Sequence, residues 1–258
     1  MFSKPELKSA MPNPLKPSAR FLLNVWQAFK FLRGEPLRMK FLAARVRSQG
    51  LTYLPMLKIA RVLTAIRRIE GSYIPGNFIE AGCALGGSSV LIASAKDHSR
   101  PFFIHDVFGM IPPPGPQDPM DVHRRYETIK SGQARGLAGH VYYGYQHGLR
   151  GEVERNFRRL GIDPAHNSMT LVEGLVEDTL HVSDAVAFAH IDVDWHDPVK
   201  VCLERIHPHL SVGGSIILDD YSDWGGCRTA VDAFLVQFGR CYAVEDVHQS
   251  LSMTKIGH

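Results

Sequence analysis

Four carboxylates close two apolar runs of this chain. Ala187-Phe188-Ala189-His190-Ile191 ends in Asp192-Val193-Asp194, and Ser215-Ile216-Ile217-Leu218 ends in Asp219-Asp220-Tyr221. A short apolar run that stops abruptly in acid is how a buried strand reads when its tip emerges at a functional edge. One amphipathic helix, Pro198 to about Leu210, joins the two runs and predicts a βαβ unit with neighbouring parallel strands. Asp192, Asp194, Asp219 and Asp220 then crowd together at the carboxyl ends of two strands, where open α/β sheets bind ligands. Carboxylates that close repel one another, and a divalent cation relieves the repulsion. A single acidic turn on a solvated loop would look no different. A coordinated pair of them is much harder to explain that way.

A second signature lies upstream. Asn77-Phe78-Ile79-Glu80-Ala81-Gly82-Cys83-Ala84-Leu85-Gly86-Gly87-Ser88-Ser89 runs from a strand through a glycine turn into an apolar helix. Gly82 and Gly86 allow a tight turn and close approach of a ligand, and the helix N-terminus favours a carboxylate or phosphate. The glycine spacing does not match the dinucleotide fingerprint. Asp106 closes the next strand, Pro101-Phe102-Phe103-Ile104-His105-Asp106, where an acid can accept both ribose hydroxyls of a nucleoside.

These residues need a scaffold, and the chain can build one. Its 258 residues suit one α/β domain with additions, and 45% hydrophobic against 21% charged content allows a sizeable core. Charge is unevenly spread: residues 1–70 hold 14 Lys/Arg against 3 Asp/Glu, and the remainder holds 15 against 23. A basic extension thus precedes an acidic domain. We expect that extension to pack on the domain or against a second subunit, giving a homo-oligomer, with nucleic acid not expected as a partner. The run Phe21 to Leu32 is interrupted by Asn24, Gln27 and Lys30, so neither a signal peptide nor a spanning helix is expected. An interfacial helix that touches a membrane is the lesser alternative. The four cysteines, Cys83, Cys202, Cys227 and Cys241, form no CxxC pair and read as free thiols of a reducing cytoplasm.

Periodicity predicts helices at 20–33, 37–48, 52–70, 87–97, 151–160, 198–210 and 226–238. It predicts strands at 77–81, 101–106, 168–173, 186–192, 214–219, 241–246 and 250–256. Asp197-Pro198 is expected to be the N-cap and first-turn pair of the helix at 198–210. The last two strands have no helix between them and should form an antiparallel hairpin on an otherwise parallel sheet. The expected division is a loose segment 1–19, a helical extension 20–70 and a sheet domain 71–258. Inside that domain lies an insertion at 107–150 that reads as a lid. Its Arg124, Arg125, Tyr126, Tyr142, Tyr143 and Tyr145 suit a sugar or polyphenol.

The motifs together resemble the macrocin O-methyltransferase family, class I S-adenosylmethionine enzymes that methylate sugar hydroxyls. The resemblance covers about Leu51 to Phe238. Its most specific pieces are Gly76-Asn77-Phe78-Ile79-Glu80, Gly86-Gly87-Ser88, Val153-x-x-Asn156-Phe157, Glu177-Asp178-Thr179-Leu180, Leu210-Ser211-x-Gly213-Gly214, and Asp219-Asp220-Tyr221 followed by Cys227-Arg228-x-Ala230-Val231-Asp232. It implies a Rossmann-like α/β fold with S-adenosylmethionine as donor, bound by Thr52, Glu80, Gly82, Gly86, Ser88, Asp106 and Gly174. Tyr53 is a further contact it suggests. It also implies magnesium on Asp192, Asp219 and Asp220, and Asp194 as base. His196 is the rival base, since a histidine's ordinary pKa suits the task. Asp192-Val193-Asp194-Trp195-His196 stands where the family usually has Asp-Gly-Asp-Leu-Tyr, so this chain departs from the pattern at the acceptor. A small-molecule or saccharide acceptor is expected. Catechol-type phenols are the alternative substrate class, and a non-catalytic nucleotide-binding or assembly protein is the alternative to an enzyme.

Overall fold

The computed structural model describes residues 16–247 and 250–257; of the segment 1–19 expected to be loose, residues 1–15 lie outside them, and 17–19 are instead the first turn of a helix. Three helices come first: α1 Pro17–Phe31, α2 Leu37–Ser48 and α3 Met56–Gly71. Then follow β1 Asn77–Ala81, α4 Gly87–Ala95 and β2 Phe102–Asp106. Next come α5 Met120–Lys130, α6 Leu149–Arg159, β3 Met169–Glu173 and the single turn α7 Val176–Thr179. The chain continues with β4 Val186–Ile191, α8 His196–Ile206, β5 Leu210–Leu218 and α9 Gly225–Phe238. It closes with β6 Tyr242–Val247 and β7 Ser250–Lys255.

The seven strands form one sheet in the order β3-β2-β1-β4-β5-β7-β6. All pairings are parallel except those of β7 with β5 and β6, so the expected hairpin is present. This is a Rossmann-like α/β architecture. Strand order reverses between β1 and β4, and a crevice opens there above their carboxyl ends.

The sheet is filled on both faces, which is why its strands read as unbroken apolar runs. Phe78, Phe102, Phe157 and Phe188 are among its largest fully buried side chains. Truncating any of them to Ala should cost about 3–5 kcal/mol. Helix α4 is apolar all round because it is covered all round: Gly87 through Ala93 are buried. Helix α3 buries Met56, Ile59, Val62, Leu63, Ile66 and Ile69, one stripe at helical spacing. These residues share one apolar cluster with Phe78 and Phe188, so the N-terminal helices and the sheet have a common core. Cys83, Cys202, Cys227 and Cys241 are buried and unbridged.

Three local expectations need correction. Helix α8 starts at His196, not Pro198, and its N-cap residue Trp195 makes no side-chain cap. The cap comes from outside: Asp118 Oδ1 accepts the His196 N–H at 2.8 Å. Strand β5 begins four residues early, at Leu210; its pairing with β4 shifts register between Val186 and Phe188, which absorbs the Gly213-Gly214 step. The insertion is not an irregular loop. It holds α5, whose Val122 and Ile129 pack with Ile111, Ala134, Tyr142 and Trp195 in a cluster of their own. Val122, Tyr126 and Ile129 are spaced i, i+4, i+7, a helical signal short enough to be masked by its charged neighbours.

Candidate active site

The crevice is built from strand ends. Backbone bonds from Gly82 N to His105 O (2.8 Å), Asp192 N to Ala81 O (2.8 Å) and Asp219 N to Ile191 O (3.0 Å) lock β1, β2, β4 and β5 together at their tips. The approach is tight. A Cβ on Gly82 would lie 1.9 Å from Asp192 O, and Gly82 has φ +85°, so only glycine fits. Gly86 is required for another reason: at φ +79°, a Cβ there would meet Phe157 and Val153 of α6. That requirement comes from packing and left-handed geometry, and Gly86 lines neither of the clefts described below.

Two clefts meet at this point. The first, about 810 Å³, is lined by Gly82, His105, Asp106, Gly174, Leu175 and Val176, roofed by Pro112 and Pro113. The second, about 1190 Å³, is lined by Tyr53, Lys58, Arg125, Tyr142, Tyr143 and Trp224, with Asp192, Asp194, Asp219 and Asp220 at its floor. Gly82, Asp106, Asp192, Asp194, Trp195 and Tyr143 border both.

Asp106 reaches the crevice and also ties the glycine turn. Its Oδ2 accepts the N–H of Cys83 (2.7 Å) and Ala84 (3.1 Å), and its Oδ1 accepts that of Phe108 (2.7 Å). An ionised carboxylate offers about four lone-pair sites and three are taken, so one is left for a ligand, fewer than the two that both ribose hydroxyls need. Glu80 and Ser88 are buried and line neither cleft; Glu80 bonds Ser89 Oγ and His190 Nδ1. Glu80 thus acts beneath the turn, holding β1 to α4 and β4. Thr52 is buried, with Oγ1 accepting the Leu54 N–H, and its neighbour Tyr53 is the residue that lines the cleft.

Ligand oxygens of Asp192, Asp219 and Asp220 lie within 4.8 Å of one another. Lys58 on α3 organises this group. Its Nζ donates to Asp219 Oδ2 (3.0 Å), Asp219 O (2.9 Å) and Asp223 Oδ2 (2.8 Å). The other oxygen, Asp219 Oδ1, is buried with no hydrogen-bond partner among the described residues. A buried, unpaired carboxylate oxygen beside two further carboxylates fits a hard divalent cation. Burial, then the charge of Asp219, pushes the Asp192 carboxyl up to about 8. Burial also raises Asp220, and raises Asp219 against the pull of Lys58.

Asp194 does not continue β4, and it is not placed by strand alternation. The strand ends at Ile191, and Asp194 sits in the left-handed region at φ +57°. Its backbone N–H donates to Asp220 Oδ2 at 3.3 Å. Burial raises its carboxyl to about 6, opposed first by Arg125. His196 is separated from this group. As the first residue of α8 it lines a different groove, between α8 and α9, with Nδ1 2.7 Å from Asp197 Oδ1. Trp195 takes the inward position; it is 2% exposed, and its indole N–H donates to Pro112 O at 3.0 Å. This accounts for Trp195-His196: the tryptophan fastens the insertion over the crevice. Asp118 and Asp121 do the same from the insertion, accepting the first N–H groups of α8 and α9.

Lys58, Asp223 and Trp224 were not picked out from the sequence. Lys58 reads there as one more cation on a basic helix. Its place inside the apolar run Met56-Leu57-Lys58-Ile59 was the available signal.

Residues 38–247 match the macrocin-O-methyltransferase (TylF) family. The chain belongs to this family. It is 26% identical over 198 residues to the demethyldecarbamoylnovobiocin O-methyltransferase of Streptomyces niveus, covering 72% of this chain and 68% of that one. It is 25% identical over 194 residues to a Streptomyces olivaceus enzyme, 8-demethyl-8-(2,3-dimethoxy-alpha-L-rhamnosyl)-tetracenomycin-C 4'-O-methyltransferase, covering 73% and 69%. The solved structure of the O-methyltransferase NovP superposes with a TM-score of 0.66 at 21% identity, over 93% of this chain and 100% of that one. Solved structures of the same fold carry S-adenosylhomocysteine. The chain is therefore a methyltransferase, and the non-catalytic alternative is set aside. Among the described residues no helix is long and apolar enough to cross a membrane.

Proposed function

We propose that this protein transfers the methyl group of S-adenosylmethionine to a hydroxyl of a sugar or glycosylated natural product, with a magnesium ion on Asp192, Asp219 and Asp220. The unpaired, buried Asp219 Oδ1 beside Asp192 and Asp220 carries the metal part of this reading. A rhamnosyl acceptor in the name of one relative supports the acceptor class.

The donor's nucleoside belongs in the first cleft, its ribose at the remaining acceptor capacity of Asp106 and its base beside Gly174, Leu175 and Val176. The amino-acid end then runs past Gly82 toward Ala84 and Tyr53. When bound, the donor supplies a sulfonium methyl for in-line displacement, which needs alignment and no covalent enzyme intermediate. When bound, the cation lowers the pKa of an acceptor hydroxyl and fixes its direction.

The rest falls to the chain's own residues. Asp194 takes up the hydroxyl proton on its carboxylate; a base poised near 6 is matched to work at neutral pH. Arg125 keeps that carboxylate from rising further. Tyr53, Tyr142 and Tyr143 offer ring faces and hydroxyls suited to a sugar. Trp195, Pro112 and Pro113 close the crevice against water. Turnover measured against magnesium concentration after chelation tests this reading. Full turnover in the chelated enzyme would show the acid cluster to be structural.

A further inference from the structure

Helices α1 and α2 present an apolar stripe that nothing in the fold covers. Leu22, Trp26 and Phe29 follow one another along one face of α1, at 67%, 57% and 43% exposure. Phe41 of α2, at 46% exposure, continues the stripe and meets Phe29 edge-to-face with ring centroids 5.9 Å apart. Soluble monomers rarely leave several large apolar residues contiguous without a use for them.

The charge around the stripe has one sign. Lys30 Nζ lies 5.1 Å from the Trp26 ring centroid, and Lys40 Nζ lies 5.1 Å from that of Phe29. Arg33 and Arg38 are exposed on the same hairpin. The one carboxylate between residues 16 and 48 is Glu35, and it is engaged by Arg67 at 2.7 Å. The face is aromatic in the middle and cationic at its rim.

We infer that the α1–α2 hairpin docks this protein on a bilayer surface that carries anionic lipid headgroups. Trp and Phe rings enter the headgroup region, and lysine and arginine stems carry their charges to phosphate level. A second copy fits the face less well. A two-fold contact of stripe on stripe would set this cationic rim against itself, and the one carboxylate within residues 16–48, Glu35, is already engaged by Arg67. A contact onto the acidic remainder of another copy would match charge but names no apolar counterpart for the aromatic middle of the stripe, and the self-association measured below reads it out. Helix α1 touches the insertion through another face, where Arg20 donates to Ala138 O at 3.3 Å, so the stripe stays open. The docking itself stands independently of which acceptor is methylated.

Co-sedimentation and tryptophan fluorescence test the inference on the full chain. The probe is vesicles of phosphatidylcholine with one quarter phosphatidylglycerol, against phosphatidylcholine alone. Trp26 is mostly exposed whereas Trp195 is buried, so insertion should shift the emission to the blue. We expect binding at least tenfold stronger on the anionic vesicles, and at least tenfold weaker again at 500 mM salt. The double substitution Trp26→Ser, Phe29→Ser should abolish binding with no change in thermal unfolding, and Lys30→Glu with Lys40→Glu should do the same. Deletion of residues 1–15 should leave binding intact. No partition into anionic vesicles overturns the inference, as does loss of binding on that deletion. So does a self-association that Trp26→Ser breaks, since the stripe would then be an interface between copies.

Discussion

Lys58 Nζ lies 3.0 Å from Asp219 Oδ2, and this contact decides which oxygen of Asp219 remains for a ligand. The lysine comes from α3 and the aspartate from the tip of β5, so the N-terminal helices are part of the site's construction. The same ammonium holds Asp223 at 2.8 Å.

Lys58→Met should therefore strand a buried carboxylate. We expect a loss of about 3 kcal/mol, the low end for breaking a buried pair, because Asp223 stays hydrated. Denaturant unfolding in the presence of chelator measures it. A loss under about 1 kcal/mol would mean that the pair contributes no more than a surface ion pair.

Gly82→Ala should abolish metal and donor binding together. Its Cβ meets Asp192 O, so the tips of β1 and β4 must part. Gly132→Ala is the control, because it shares a positive φ, +77°, but has open space around it. Calorimetry with magnesium and with S-adenosylhomocysteine separates the two. Equal, small effects in both variants would show that the close approach at Gly82 is not needed.

Asp106→Ala should weaken S-adenosylhomocysteine by about 1–3 kcal/mol from the lost ribose contact. It also leaves the N–H groups of Cys83, Ala84 and Phe108 without their acceptor. The variant should therefore lose thermal stability as well as affinity. Unchanged donor affinity would remove Asp106 from the donor site.

Acid should destabilise the fold through His105. Burial, then the charge of His181, lowers its pKa to about 4. Its Nδ1 lies 3.2 Å from Thr179 Oγ1, and that hydroxyl already donates to Leu175 O, so Nδ1–H is the donor, while burial keeps the ring neutral. The unfolded chain takes up this proton near pH 6.5 and the folded one only near 4. The stability contributed is present above about pH 6.5 and is lost as pH falls toward 4. His105→Gln should flatten the fall in unfolding free energy across that window. An unaltered pH profile would place the acid sensitivity elsewhere.

The strand ends were legible in the sequence because acid terminating an apolar run is a local signal. That signal grouped Asp192, Asp194, Asp219 and Asp220; the resemblance singled out Asp192, Asp219 and Asp220, whose ligand oxygens lie within 4.8 Å of one another. The glycine turn was legible too, but not the division of labour within it. Nothing local distinguishes Gly82, pressed on Asp192, from Gly86, pressed on Phe157. Lys58 and the Asp118 cap escaped for a related reason. Each acts across a large sequence separation, on Asp219 and on the start of α8. Helix α8 therefore begins where Asp118 caps it rather than where Asp197-Pro198 would have placed it.

The choice of base turns on the same geometry. Asp194 lies with Asp220 at the floor of the second cleft, whereas His196 faces the groove between α8 and α9. Asp194→Asn keeps the shape and removes the proton acceptor. Turnover should fall by roughly a hundredfold or more, the usual scale for losing a general base. Magnesium binding should survive, since Asp192, Asp219 and Asp220 are untouched. Asp219→Asn should behave the other way: metal affinity falls, turnover drops at least about tenfold, and added magnesium partly restores it. His196→Ala should change turnover less than about threefold, well below the loss expected for a general base. Turnover and magnesium titration on the three variants decide the matter. A hundredfold loss in His196→Ala, with Asp194→Asn near wild type, would reverse the assignment and require the start of α8 to rotate toward the acid cluster during turnover.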